Sequence, residues 1–207
     1  RGSDPRLTMR FAINGFGRVG RTLLRVYASR EDARAKLTLA AINEIADADT
    51  VVHLARYDSN YGRYPGAIAR AASSLVIDQR SVPLSHVAEV ARLPWQQHQI
   101  DLVLECTGAF TDRITAEQHL HAGASRVLFS QPAESDVDET IVYGVNSDSL
   151  SAEMTVVSAA SCTTNAVVPV LATLSHAVGI EAATITTIHS LMNDQPVLDA
   201  YHHTDLR

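Results

Sequence analysis

Met9–Ile13 (MRFAI) runs directly into Asn14–Gly20 (NGFGRVG), and the fold turns on how these twelve residues are read. The apolar run has the length and composition of a short strand, and Val19, Leu23, Val26 and Tyr27 then recur at helical spacing. Gly15, Gly17 and Gly20 therefore stand between a strand and a helix. There the first glycine permits a tight turn, the second lets a pyrophosphate approach the backbone, and the third lets helix and strand pack closely. The helix start adds N–H groups and a positive dipole end for the anion. G-x-G-x-x-G alone is a weak signal, but its placement here points to a dinucleotide rather than to a glycine turn that serves packing alone.

Working outward, Lys36–Ile42 (KLTLAAI) reads as a second strand buried on both faces, because its apolar run hardly alternates. It stops at Asn43 and Glu44. An acid at that strand end is placed to accept hydrogen bonds from ribose hydroxyls and to repel a 2′-phosphate, which favours NAD over NADP. The competing reading, with Asn43 as the closer residue and Glu44 a solvated strand end, stays open. Asp58–Pro94 is broken by Gly62, Pro65, Gly66 and Pro83, and Ser74–Ile77 is its most strand-like piece.

Asp101–Cys106 and Arg126–Phe129 are two more buried-type strands, with a helix expected over Thr115–Ala122 and ended by Gly123. Alternating strands and helices imply an α/β fold with a Rossmann-type, doubly wound parallel sheet. Thr107 and Gly108 fall on its carboxyl edge, where they read equally well as cofactor contacts or as an ordinary turn. Phe16 within the glycine turn and Ser130 just after Arg126–Phe129 join the candidate cofactor contacts.

A short strand over Thr155–Ser158 leads into Ser158–Asn165 (SAASCTTN), a helix up to Gly179, and Ala182–Ile188 (AATITTI), which alternates like a half-buried strand. A domain boundary is expected near residue 157, giving a cofactor domain over 9–157 and the beginning of a second domain over 158–207. The polar opening Arg1–Thr8 (RGSDPRLT) reads as an expression-vector remnant ahead of the native start.

With 46% hydrophobic and 19% charged residues the chain has the composition of a folded globular protein rather than a disordered one. A net charge of −6 gives no general field for nucleic acid, so none is expected as a partner. No run approaches the roughly 18 apolar residues needed to span a bilayer, so no membrane partner is expected and a cytoplasmic address is the default. Cys106 and Cys162, the only two cysteines, do not suggest a disulfide scaffold.

Cys162 sits at an expected helix start, where the dipole and unpaired N–H groups favour a thiolate and small preceding residues leave room for a substrate. From placement alone, a buried and inert cysteine remains the better reading. Cys106, inside an apolar strand, reads as core. His189 ends the alternating AATITTI segment, so its ring would emerge where a sheet edge meets a loop, able to take a thiol proton near neutral pH. His53, His86, His98, His119, His121, His202 and His203 read as surface or packing residues, and no spacing suggests a metal site.

Taken together, Ala12–Gly20 (AINGFGRVG), Ser158–Val170 (SAASCTTNAVVPV) and Thr186–Ser190 (TTIHS) are similar to the glyceraldehyde-3-phosphate dehydrogenase family. The resemblance covers Met9–Arg207 and implies a cofactor domain followed by the truncated start of an α+β catalytic domain. It makes Cys162 the nucleophile and His189 its activator, puts Ser161 and Thr163 beside a phosphorylated aldehyde, and puts Arg18 and Val19 against NAD. It also implies a homotetramer.

Ala41–Asp47 (AINEIAD) and His189–Arg207 (HSLMNDQPVLDAYHHTDLR) look most like the erythrose-4-phosphate dehydrogenase branch, which feeds pyridoxal phosphate synthesis. Met192 stands where glycolytic members carry a phosphate-binding Thr, Asp194 and Gln195 stay in register, and Arg207 matches a basic substrate-contacting position. Ala166 replaces a second cysteine found in many members. The implied reaction is oxidation of D-erythrose 4-phosphate to 4-phosphoerythronate through a thioester that water cleaves. The alternatives are phosphorylating oxidation of glyceraldehyde 3-phosphate and, in another class, a non-catalytic dinucleotide-binding module.

Overall fold

The computed structural model describes residues 8–190. Residues 1–7, and with them nearly all of the expected vector remnant, lie outside the described residues, as do Met192, Asp194, Gln195, His202, His203 and Arg207.

β1 (Met9–Asn14), β2 (Leu37–Asn43), β8 (Leu102–Glu105), β9 (Arg126–Phe129) and β11 (Val156–Ser158) run parallel in one sheet, separated by helices α1 (Arg18–Ser29) and α5 (Arg113–His121) among others. The sheet has nine strands in the order β10-β11-β9-β8-β1-β2-β7-β6-β5, where β10 is Glu139–Thr140, β5 Ile68–Ala71, β6 Ser74–Ile77 and β7 Arg80–Ser85. Strand order therefore reverses at β1, with β2 on one side and β8 on the other. In open α/β sheets that reversal leaves a crevice at the carboxyl ends of the strands.

Two-residue periodicity sends β1 side chains to both faces. Phe11 and Ile13 join a core with Leu24, Leu39, Ile42 and Val51, whereas Ala12 joins Ala40, Trp95, Ile100 and Val103 in a second core. The strand is thus covered by a layer on each side, as its unalternating sequence requires.

The sheet is largely parallel, as expected, with an antiparallel meander at one edge. The Gly- and Pro-broken segment after β2 forms a small hairpin of β3 (Tyr57–Asp58) and β4 (Gly62–Arg63), followed by the antiparallel meander β5–β6–β7. Asp78 and Gln79, at φ 47° and 70°, make the two-residue turn between β6 and β7. β7 then docks parallel on β2, with Ile42 opposite Leu84 and Asn43 opposite Ser85.

Three local expectations are corrected. In α1 the buried positions are Gly20, Arg21 and Leu24, while Val19 and Val26 are 43% and 47% exposed. Gly20 sets this rotation: a Cβ there would lie 2.4 Å from the Gly15 carbonyl and 3.0 Å from Ile13 Cγ2. The face carrying Gly20 must therefore meet β1, and Leu24 one turn on goes with it. Lys36 ends a short helix, α2 (Glu31–Lys36), whose acidic first turn and basic last turn suit the helix dipole. Ala182–Ile188 forms no strand and is exposed. Alternation marks which side chains share a face, but a strand also needs a neighbour to take its N–H and C=O groups, and none lies beside this segment among the described residues.

The remaining helices are α3 (Ala48–Arg56), capped by Asp47, α4 (Trp95–His98), and α6 (Cys162–Val178), which ends at Gly179. Among the described residues, no helix is long and apolar enough to cross a membrane.

Candidate active site

The carboxyl ends of β1, β2 and β8 open onto a cavity of about 280 Å³, close to the lower end of the roughly 300–1,000 Å³ range of ligand pockets. Asn14, Gly15 and Gly17 line it from the glycine turn, Asn43 and Glu44 from the end of β2, and Thr107 from the end of β8. Ile45, Val87, Val90, Leu93 and Phe110 supply apolar wall. Gly15 adopts φ +86°, and a Cβ there would stand 2.5 Å from the Thr107 backbone nitrogen. The turn thus needs glycine twice over, for its left-handed backbone and for its closeness to the β8 loop.

Glu44 reaches back over the turn. Its Oε2 accepts the Phe16 N–H at 2.7 Å and its Oε1 accepts the Ala46 N–H at 3.1 Å. Each oxygen of a carboxylate has a second lone pair, so both remain able to accept hydroxyl donors from the cavity side. Asn43 also lines the cavity, but its side chain is engaged: it donates to Asn14 Oδ1 at 2.8 Å and to the Val87 carbonyl at 2.9 Å. Gly17 stands at the N-cap of α1 and has no side chain to cap it, so the helix's first turn offers backbone donors to an incoming anion.

The other expected cofactor contacts are distributed differently. Phe16 has its side chain buried in the core and its N–H on Glu44. Arg18, Val19, Gly108 and Ser130 lie outside the cavity lining, with Gly108 facing open space and Ser130 donating to Gln131 Oε1. The walls at Ile45 and from Val87 to Leu93 have no signal in the sequence, since Ile45 stands alone after β2 and the others lie in a segment without periodicity of its own. Glu105 was missed too, although a charged residue inside the apolar run DLVLEC was a readable signal, since a buried carboxylate must be satisfied.

Beyond β11, the chain passes Ala160 in the left-handed region, at φ 60°, and enters α6 at Cys162. Ser161 caps this helix, its Oγ accepting the Thr164 N–H at 2.9 Å. Asn165 Nδ2 ties down the approach by donating to the carbonyls of Ala159 and Ser161 at 2.7 and 2.9 Å. The thiol is exposed, which removes the reading of Cys162 as a buried core cysteine.

Cys162 Sγ lies 3.0 Å from His189 Nε2, although 27 residues separate them. His189 Nδ1 lies 2.6 Å from the Ser190 carbonyl. A carbonyl only accepts, so Nδ1 carries a proton and the Nε2 lone pair of the neutral ring faces sulfur. The contact with His189 is the main reason the Cys162 thiol is held below its ordinary value, helped by the backbone N–H of Thr163 and opposed by partial burial. Cys106 behaves oppositely: burial, with the Glu105 charge beside it, pushes its thiol up to about 12. The two thiols thus sit in opposite settings, Cys162 exposed beside a base and Cys106 buried beside a carboxylate.

Both features lie on one edge of the sheet. The cavity occupies the carboxyl ends of β1, β2 and β8, and Cys162 follows the carboxyl end of β11, two strand spacings or about 10 Å from β8.

Two protein-family models match the chain. The family model described as glyceraldehyde 3-phosphate dehydrogenase, NAD binding domain, matches residues 9–113, and that described as glyceraldehyde 3-phosphate dehydrogenase, C-terminal domain, matches residues 161–207. NAD is the cofactor. The cavity's residues fit it: an uncapped helix start for the pyrophosphate, an acid at the end of β2 for ribose hydroxyls, and apolar walls for a ring. Gly15→Ala is expected to weaken NAD binding at least tenfold in calorimetric titration, since the new methyl must displace the Thr107 backbone and position 15 must hold a left-handed φ with a side chain, at a cost of about 1–3 kcal/mol. Affinity within twofold of wild type would argue against this turn as the cofactor's seat.

Proposed function

We propose, on the premise that the chain belongs to the glyceraldehyde 3-phosphate dehydrogenase family and is an NAD-dependent oxidoreductase, that it oxidises the aldehyde of D-erythrose 4-phosphate through a covalent bond to Cys162. The observation that carries this reading is the 3.0 Å contact between Cys162 Sγ and His189 Nε2 at the start of α6. Residues 9–157 form the cofactor domain and 158–207 the first part of the catalytic domain. The similarity of AINEIAD and of the segment from His189 to Arg207 to the erythrose-4-phosphate branch supports the four-carbon substrate. A homotetramer in the cytoplasm is the assembly and address that fit the family.

The chemistry follows from the site. His189 Nε2 takes the proton from Cys162, and the thiolate adds to the aldehyde carbon to form a hemithioacetal. The backbone N–H groups at the start of α6, next to the sulfur, are the donors nearest to the negative charge that builds on the former carbonyl oxygen. NAD, when bound, supplies the hydride acceptor. His189 returns the Cys162 proton to the former carbonyl oxygen, removes it again as hydride leaves the carbon and the thioester forms, and gives it up to solvent. It then deprotonates the water that cleaves the thioester and passes this last proton to the departing sulfur, releasing 4-phosphoerythronate and the thiol. Thr163 and Ser161 flank the reacting carbon, while Ser161 also caps the helix that holds the sulfur.

The test is NADH production by the full chain with erythrose 4-phosphate and glyceraldehyde 3-phosphate, each with and without inorganic phosphate. Preference for the four-carbon aldehyde with no phosphate requirement is expected. A strict phosphate requirement with the three-carbon aldehyde would instead assign the glycolytic reaction.

A further inference from the structure

A continuous run of hydrogen-bonded polar groups, buried from Asn43 through Asn14 and Glu105 to His119, crosses the sheet beneath the cofactor cavity, and neither the glycine turn nor the thiol site explains it. Ser85 Oγ donates to Asn43 Oδ1 at 2.8 Å, Asn43 Nδ2 donates to Asn14 Oδ1 at 2.8 Å, and Asn14 Nδ2 donates to Glu105 Oε2 at 2.5 Å. Glu105 Oε1 accepts the Thr107 N–H at 2.8 Å and the Thr107 hydroxyl as well. His119 Nε2 lies 3.0 Å from Glu105 Oε2, and Trp95 Nε1 donates to His119 Nδ1 at 2.9 Å. Glu105, His119 and Trp95 are all 0% exposed.

The direction of every bond at this end follows from the tryptophan. Indole N–H only donates, so His119 Nδ1 is an acceptor and the ring proton sits on Nε2, aimed at the carboxylate. Four donors thus converge on Glu105, an acceptor-only group when ionised. Two of the residues it holds, Asn14 and Thr107, line the cavity from β1 and β8, and the Gly15 turn lies against Thr107.

We infer that Glu105 is a positioning residue for NAD, clamping the two sides of the cofactor cavity through Asn14 and Thr107, with its own orientation set by His119 and Trp95. The inference rests on the placement of NAD in that cavity. Burying a carboxylate is costly unless its hydrogen bonds are met, and here meeting them fixes the spacing between the glycine turn and the β8 loop. His119, which by sequence reads as a packing residue, acts through Glu105.

The relay makes an unusual double-variant expectation. Glu105→Gln keeps the shape but presents an amide NH₂ in place of one acceptor oxygen, so a donor meets a donor. His119 cannot relieve this by moving its proton to Nδ1 while Trp95 donates there. Trp95→Phe removes the indole N–H and lets His119 accept from the glutamine amide instead. For the full chain, E105Q is expected to bind NAD about thirty-fold more weakly in calorimetry, the scale of one buried donor left unmet. Its kcat at saturating NAD should stay within about threefold of wild type. The W95F/E105Q pair is expected to bind at least fivefold tighter than E105Q, and W95F alone no tighter than wild type.

A merely structural role predicts the reverse, with kcat and affinity falling together and the double variant worse than either single one, and that result overturns the inference. The failure modes separate. If the wild-type chain binds NAD and Gly15→Ala does not weaken it, the cavity is not the cofactor site. If Gly15→Ala weakens binding and E105Q does not, only the role of Glu105 falls. Should a variant fail to fold, the wild-type protein still decides, because Trp95 is its sole tryptophan. Its single indole N–H resonance is expected to shift on saturation with NAD, and an unmoved resonance overturns the proposal.

Discussion

Cys162→Ser is expected to lower NADH production from the aldehyde by roughly four orders of magnitude or more while leaving NAD affinity unchanged, as is common when a covalent nucleophile is lost. A serine hydroxyl at the same place is far harder to ionise than a thiol, and the 3.0 Å contact with His189 does not close that gap. The cofactor cavity draws on β1, β2 and β8, none of which includes position 162, so binding serves as an internal control. Turnover and calorimetric affinity on the same preparation decide the matter. Activity within tenfold of wild type would remove covalent catalysis from the mechanism.

His189→Asn is expected to reduce kcat by about 10²–10⁴, the contribution of a positioned general base. It also carries a pH signature. The thiol of Cys162 is held low chiefly by His189, so wild-type alkylation by iodoacetamide should begin at a pH below that of an ordinary thiol. The thiolate is present above this lowered value and is lost as pH falls through it. With asparagine in place of the imidazole, the onset should move up towards about 8.5. Cys106, pushed up to about 12 by burial, should stay unmodified in both proteins at neutral pH, so one equivalent of label is expected. An onset that does not move would show that the helix start, rather than His189, activates the sulfur.

These expectations draw unequally on sequence and structure. NGFGRVG was legible because a left-handed turn, a close backbone approach and an open helix start each restrict residue type locally. The rotation of α1 was less legible: Val19 and Val26 fit helical spacing as well as Leu23 and Tyr27 do, and only the contact of Gly20 with Gly15 and Ile13 tells which side turns inward. The AATITTI alternation suggested a strand that the structure does not form, because alternation contains nothing about a neighbour to pair with.

The cavity walls between Ile45 and Leu93 were hidden for a related reason. Ile45 follows β2 and Val87 to Leu93 follow β7, so these walls reach the cavity only because β7 docks parallel on β2, a long-range pairing that no local periodicity carries.

By itself, then, the sequence determined the α/β class, the glycine turn, the acid at the end of β2 and a cysteine at a helix start, all set by interactions within a few residues. Tertiary structure decided the meetings: Cys162 with His189 across 27 residues, and Glu105 with His119, Asn14 and Thr107 beneath the cavity. Strand register and helix docking choose those partners, and no spacing along the chain encodes them.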